Sequence, residues 1–127
     1  MRAAFCLAIV NVQIFGIQKN QDVRKALRFF SERRVKVHFV DLKERAASQG
    51  ELRRFAQKFG VSALIDKNSS RYAELGLGAV RYDDLRWLAK LVEEPMILVM
   101  PLARFEQRLT IGLAELEWQS WAARVKP

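Results

Sequence analysis

The sequence is poor in the side chains that most often bind metals or act as nucleophiles. Its 127 residues include one cysteine, Cys6, and one histidine, His38. One cysteine cannot form an intrachain disulfide, a CxxC pair or a cysteine-based zinc site. One histidine leaves little material for a metal centre or a Ser-His-Asp triad. We therefore predict no metal site.

Long apolar runs are also missing. Residues 1–10 are apolar apart from Arg2, but no small-x-small cleavage site follows and a strand-like segment comes at once. No stretch reaches the ~18–20 apolar residues of a membrane span. We expect one cytoplasmic domain over residues 1–127 with no membrane partner, in which residues 1–11 form a tail or a lead-in to the first strand.

The charge is strongly basic and unevenly distributed. The formal net charge is +8; residues 19–58 hold twelve basic and five acidic side chains, a net of +7, whereas residues 59–127 hold nine of each. This excess of positive charge suggests an acidic protein or a small anion as partner. The alternative explanation of the charge is a solvated, arginine-rich helix surface. The phenylalanines of the basic half recur at core spacing, which argues against nucleic acid.

Hydrophobic patterns predict a strand, a helix and a second strand at the start of the chain. Residues 12–17 and 35–42 have the pattern of buried strands. Between them, apolar side chains repeat with helical spacing and predict a helix over 21–34. Asn20 and Asp22 both precede or begin this helix and both are good helix N-caps, because their side-chain oxygens accept amide hydrogens of the first turn. A strand–helix–strand unit of this length predicts a parallel pair.

The rest of the chain predicts a block of helices, a hairpin and a last helix. Ser48 and Glu51 match a capping box, and helical segments follow until Pro95. Residues 97–105 and Arg108–Ile111 are predicted strands, and Trp118 lies on a final amphipathic helix. The fold class is therefore α/β: a thioredoxin-like β-α-β half and a β-β-α half, with a helical insertion at about residues 48–94.

Several segments resemble the arsenate reductase (ArsC)/Spx family. Residues 14–27 are similar to the family's opening, in which a strand ends and a Cys … Arg/Lys-Lys-Ala run begins the first helix. Further similar segments, in the family's order, are Lys67-Asn68, Tyr72, Leu75-Gly76-Leu77, Glu94-Pro95-Met96-Ile97-Leu98, Pro101-Leu102, Ile111-Gly112 and Trp118. The resemblance covers about residues 12–122 and implies a thioredoxin-like fold with a helical insertion.

The resemblance also implies a chemistry that this sequence departs from. Active family members reduce arsenate with a cysteine at the N-terminus of the first helix, and arginines hold the oxyanion; the Spx branch instead binds RNA polymerase. Here the nucleophile position falls on Asn20, and the arginine positions fall on Met100, Leu113 and, more loosely, Asp66. Asparagine forms no covalent arsenic intermediate. Cys6 lies about ten residues before the end of the first strand, too far to replace the thiol.

The candidate site is therefore a binding site without a catalytic residue. Its candidate residues are Lys19, Asn20, Gln21, Asp22, Arg24 and Pro101. By resemblance, Pro101 is expected in the cis form, with backbone groups exposed to a ligand. We expect a non-catalytic binding or regulatory protein with an acidic partner, the transcription machinery by resemblance to Spx. The alternatives are a glutathione-dependent thiol oxidoreductase or transferase, with glutathione the one candidate cofactor, and arsenate reduction.

Overall fold

The structure is a computed structural model that describes residues 12–125. The predicted tail and Cys6 lie outside the described residues. Four strands form one mixed sheet in the order β2-β1-β3-β4. Their bounds are Val12–Gly16 for β1, Val37–Asp41 for β2, Leu102–Phe105 for β3 and Arg108–Ile111 for β4. The β1 and β2 strands are parallel, and the β1–β3 and β3–β4 pairs are antiparallel, which confirms the predicted β-α-β unit and hairpin.

Five α-helices occupy the described part of the chain. They are α1 (Gln21–Glu32), α2 (Gln49–Phe59), α3 (Ser70–Glu74), α4 (Asp84–Glu93) and α5 (Glu115–Val125). Three single turns of 3₁₀-helix lie at Val61–Leu64, Leu77–Ala79 and Pro95–Ile97. The capping box predicted for α2 is complete: the Ser48 hydroxyl accepts from the Glu51 amide, and the Glu51 carboxylate accepts from the Ser48 amide. Within residues 12–125, no helix is long and apolar enough to cross a membrane.

Several predicted boundaries differ from the structure by a few residues, and two of these differences have a clear local cause. The α1 helix ends at Glu32 instead of residue 34, because Arg34 adopts a left-handed φ of 59°. The second strand begins at Val37 instead of residue 35. The strand predicted from residue 97 begins only at Leu102, because Pro95 starts a 3₁₀ turn in which its fixed φ fits.

The described chain divides into two compact units. One is Leu42–Val99, which contains the predicted insertion, and the other joins the residues up to Asp41 to those from Met100 onward. In Leu42–Val99, α2 contacts α4 and the 3₁₀ turn after α2. Its most deeply buried apolar side chains are Leu52, Phe55, Leu64, Leu91 and Ile97. This unit therefore has an apolar core of its own.

The unit that contains the sheet has an aromatic core. The ring of Phe30, on α1, lies 5.5 Å from that of Trp118 and stacks on that of Trp121 at 6.4 Å, both on α5. Phe105, on β3, lies 5.8 Å from Trp121. All four side chains are at most 1% exposed. They attach both helices to the sheet and so fix where α1 begins relative to the strand ends.

Candidate functional site

Three chain segments leave the sheet at the same end. In the antiparallel register, Phe15 of β1 pairs with Leu102 of β3, and Leu102 pairs with Ile111 of β4. The loop after β1, the residue before β3 and the residues after β4 therefore emerge together. These are the segments to which the resemblance assigns the nucleophile, the cis proline and one oxyanion-binding arginine.

Of the two candidate caps, Asn20 and not Asp22 is the residue that caps α1. The Oδ1 atom of Asn20 accepts a hydrogen bond from the Val23 amide at 3.0 Å, and its backbone is extended, with φ −74° and ψ 128°. Asp22 already lies in the first helical turn. Its carboxylate is favourably placed beside the positive end of the helix dipole, but it does not form the cap.

Arg24 holds the loop that precedes the helix. Its Nη1 atom donates to the carbonyl oxygens of Gln18 and Lys19, both at 2.9 Å. The guanidinium therefore supports the loop backbone as well as contributing positive charge. The Lys19 and Gln21 side chains are exposed. Of the candidate residues on this loop and first turn, Asn20 and Arg24 are thus already engaged in local structure.

Gly16 allows the end of β1 to approach α1 closely. A Cβ atom at this position would collide with Cγ2 of Val23. Val23 is fully buried, so it has little freedom to move aside. The first turn of α1 is therefore pressed against the last residue of β1, which fixes the position of Asn20.

The peptide bond between Met100 and Pro101 is cis, as the resemblance implies. Pro101 is buried, and its carbonyl oxygen accepts a hydrogen bond from the Gly112 amide at 2.9 Å. Proline has no backbone N–H to donate. The Pro101 carbonyl oxygen, which the resemblance predicts to be open to a ligand, therefore already has a hydrogen-bond partner.

The positions to which the resemblance assigns the family arginines carry no cation. Met100 is an apolar side chain only 8% exposed, and Leu113 is 43% exposed. In Leu42–Val99, the Asp66 carboxylate accepts from the Asn68 amide at 3.0 Å and so stabilises a turn. Among residues 12–125, no group of three His, Cys, Asp or Glu side chains could hold a metal ion.

Comparison with known proteins identifies the family. The sequence profile of the ArsC family matches residues 15–121. The chain belongs to the ArsC family. No curated protein sequence shows significant similarity to this ArsC-family chain.

Solved structures share the fold of this ArsC-family chain. A protein named YFFB superimposes with a TM-score of 0.81 at 17% identity, over 88% of this chain and 99% of its own. An ArsC family related protein from Bacteroides fragilis gives 0.79 at 16% identity, over 87% and 97%. An arsenate reductase from Vibrio cholerae gives 0.76 at 22% identity, over 87% and 97%. At these identities the similarity establishes the fold.

The sequence analysis missed a groove beside α1 of this ArsC-family protein. An open cavity of about 470 Å³ is lined by Lys25, Arg28 and Arg33 on one side and by Leu113 and Glu115 on the other. The sequence contains only a weak indication of this groove. Lys25 and Arg28 lie three residues apart on the polar face of α1, and Leu113 falls outside the apolar repeat of the last helix. That the two segments face each other depends on the tertiary fold.

Proposed function

We propose that this ArsC-family protein is a binding or regulatory module that does not reduce arsenate. One observation carries the proposal: the residue at the start of α1, where the family resemblance puts the nucleophile, is Asn20, and its Oδ1 is bound to the Val23 amide. Arsenate reduction of this type needs a thiolate to form the covalent intermediate. An amide that caps the helix supplies neither a sulfur nor a base.

The surroundings of Asn20 support the same proposal. An oxyanion is held by charged donors that converge on it. Met100 and Leu113 are apolar, and Arg24 donates to two carbonyl oxygens of its own loop. A substrate anion would meet the helix N-terminus and Lys19, without the set of arginines that the family resemblance implies.

The partner that fits best is an acidic protein. The net charge of +8 favours partners of opposite sign, and most of that charge lies in residues 19–58. By resemblance to the Spx branch, we propose that this acidic partner belongs to the transcription machinery and that the protein acts in the cytoplasm.

A second candidate is a glutathione-dependent thiol oxidoreductase or transferase. Its supporting observation is the orientation of Asn20: because Oδ1 accepts from the helix, the Nδ2 amide group points its hydrogens elsewhere. Such a donor, with Gln21 next to it, could stabilise the thiolate of a bound glutathione. If the protein is a binding module for an acidic partner, we expect it not to bind glutathione.

The test uses the full chain. With arsenate, glutathione and a glutaredoxin, we expect no arsenate reduction above the rate without protein, and no shift in melting temperature with millimolar glutathione. Affinity capture from cell extract at physiological salt should retain a specific protein. Arsenate turnover would overturn the proposal, and a Cys6→Ala variant would then show whether that thiol is responsible. A glutathione shift would favour the second candidate.

A further inference from the structure

We infer that the groove beside α1 binds an acidic peptide segment of a partner protein, with a large apolar side chain of that segment seated on Leu113. This inference rests on the proposed binding function and adds the docking surface and the chemistry of the partner. All the residues involved belong to the unit that contains the sheet.

The α1 side of the groove offers two cations. Lys25 and Arg28 are exposed and lie three residues apart, so both project from one face of the helix. Neither forms an ion pair with any residue in the described range 12–125. Two carboxylates of a bound peptide could therefore pair with them without displacing an existing partner.

The end of α1 forms a fixed wall of the groove. The Arg33 guanidinium carbon lies 3.7 Å from the centre of the Phe29 ring, and Nη1 donates to the Phe29 carbonyl at 3.0 Å. Glu32 lies 4.0 Å from the same guanidinium. Arg33 is thus committed to its own helix, which leaves Lys25 and Arg28 as the groups that would select a negative ligand.

The opposite side offers an apolar anchor. Leu113, which lines the groove, is 43% exposed. Covering this side chain removes apolar surface from water, which favours a large apolar residue in the occupant. Glu115 also lines this side, and Glu32 lines the α1 side beside Arg33, so the acidic groups of the peptide must lie towards Lys25 and Arg28. The groove therefore sets an order: carboxylates beside α1 and the apolar side chain beside Leu113.

Charge decides between possible occupants. A second copy of the chain would bring a further +8 to this surface, which opposes association. A single-stranded nucleic acid needs exposed aromatic faces for stacking, and Phe29 is only 7% exposed under Arg33. An acidic peptide with an apolar residue satisfies both sides of the groove.

The test measures fluorescence anisotropy of a fluorescein-labelled peptide in which Leu alternates with Asp and Glu. Two reference peptides replace every Leu by Ser or every acidic residue by Lys. The variant Lys25→Glu/Arg28→Glu is compared with Arg53→Glu/Arg54→Glu, two exposed residues of α2 in the other unit. Each pair of reversals changes the net charge by −4, from +8 to +4, so the overall field is matched. Leu113→Ser tests the apolar anchor.

We expect the first variant to weaken binding of the Leu-acidic peptide about tenfold or more, and the α2 variant by less than about threefold. Leu113→Ser should weaken the Leu peptide but not the Ser peptide. Equal weakening by both charge variants, or no binding by the unaltered protein, would overturn the groove as the site. If circular dichroism shows that a reversal disturbs folding, Lys25→Gln/Arg28→Gln replaces it.

Two outcomes separate this inference from the proposed function. Peptide binding at the groove by a protein that also reduces arsenate would overturn only the proposed function. A captured cellular partner that binds equally well to the Lys25→Glu/Arg28→Glu variant would overturn only the groove. Light scattering of the free protein tests whether a second copy occupies the groove. We expect a monomer. A dimer that the Lys25→Glu/Arg28→Glu variant abolishes would assign the groove to a second copy and overturn the inference.

Discussion

Asn20 and Val23 are joined by a hydrogen bond of 3.0 Å from the Val23 amide to the Asn20 side-chain oxygen, and this bond begins α1. An alanine at position 20 would leave that amide without its capping acceptor. We expect Asn20→Ala to lower the free energy of unfolding by about 1 kcal/mol, and Asn20→Ser to lower it by much less, because serine also caps helices well. Urea denaturation of the three proteins measures the difference.

The matched control for this prediction is Gln21→Ala. Gln21 is exposed and makes no capping bond among the described residues, so its replacement should change the free energy of unfolding by less than about 0.5 kcal/mol. Equal stability of Asn20→Ala and the unaltered protein would mean that water replaces the cap at no cost.

Asn20→Cys tests the proposed assignment of Asn20 to the nucleophile position, by asking whether a thiol placed there is enough for arsenate reduction. In a Cys6→Ala background, the new thiol would lie at a helix N-terminus, which lowers a cysteine pKa and should speed its alkylation near neutral pH. We nevertheless expect no arsenate turnover, because Met100 and Leu113 provide no cation for the oxyanion. The measurement pairs an iodoacetamide alkylation rate with an arsenate reductase assay.

Arsenate turnover by Asn20→Cys would contradict the assignment of the family arginines to Met100 and Leu113. If Asn20→Cys alone gave full turnover, the oxyanion would be held by residues other than those at the predicted arginine positions. Arg24 and Lys25 would then be the first to replace, since they are the nearest cations along α1.

The features that sequence predicted well are those set by local patterns. The capping box of Ser48 and Glu51 depends on two residues three positions apart. The helical repeat that contains Phe30 depends on apolar residues three or four positions apart in successive turns. The order of strands and helices follows from the same repeats. Together with the family resemblance, these patterns were enough to predict the thioredoxin-like fold and the helical middle of the chain.

The features that could not be predicted from the sequence depend on tertiary contacts or on backbone conformations that have no sequence signal. Arg34 adopts a left-handed φ of 59° and α1 ends at Glu32, although glycine or asparagine usually marks such a position. That Asn20 and not Asp22 caps α1 depends on where the helix begins, because both residue types cap helices well. The groove exists because Leu113 faces α1, which no local repeat encodes.

Thr110 and Trp118 form a buried hydrogen bond that gives a third prediction. The indole Nε1 of Trp118 donates to Oγ1 of Thr110 at 2.9 Å, and both side chains are at most 1% exposed. Thr110→Val keeps the shape but leaves the indole N–H without an acceptor, which should cost about 1–3 kcal/mol of unfolding free energy. Thermal or urea denaturation measures the loss.

Thr110→Ser separates the hydrogen bond from packing. Serine loses a methyl group but keeps the hydroxyl, so the indole N–H should keep its slow hydrogen exchange and its shifted NMR resonance. Thr110→Val should accelerate that exchange and move the resonance. If both variants moved the resonance alike, packing and not the hydrogen bond would hold Trp118 in place.

Arg71 and Glu94 form a two-point ion pair in Leu42–Val99 that makes stability depend on pH. Arg71 Nε donates to one oxygen of Glu94 at 2.9 Å and Nη2 donates to the other at 3.2 Å. The hydrogen bonds from Arg71 lower the pKa of the Glu94 carboxyl below its ordinary 4.5, against the opposing effect of burial. Because the folded pKa is the lower one, the pair stabilises the folded state above pH 4.5, and this contribution is lost as pH falls through the folded value.

Arg71→Gln should therefore destabilise the protein at neutral pH and matter less in acid. We expect the difference in unfolding free energy between the two proteins to shrink once the pH falls below 4.5, the ordinary pKa of the carboxyl. Carboxyl NMR should show the Glu94 pKa rising in the variant. Glu74→Gln is the control, because Glu74 also contacts Arg71, at 3.2 Å, but is mostly exposed; it should leave the Glu94 pKa low. A difference that stayed constant through acid pH would mean that Arg71 stabilises this unit by packing alone.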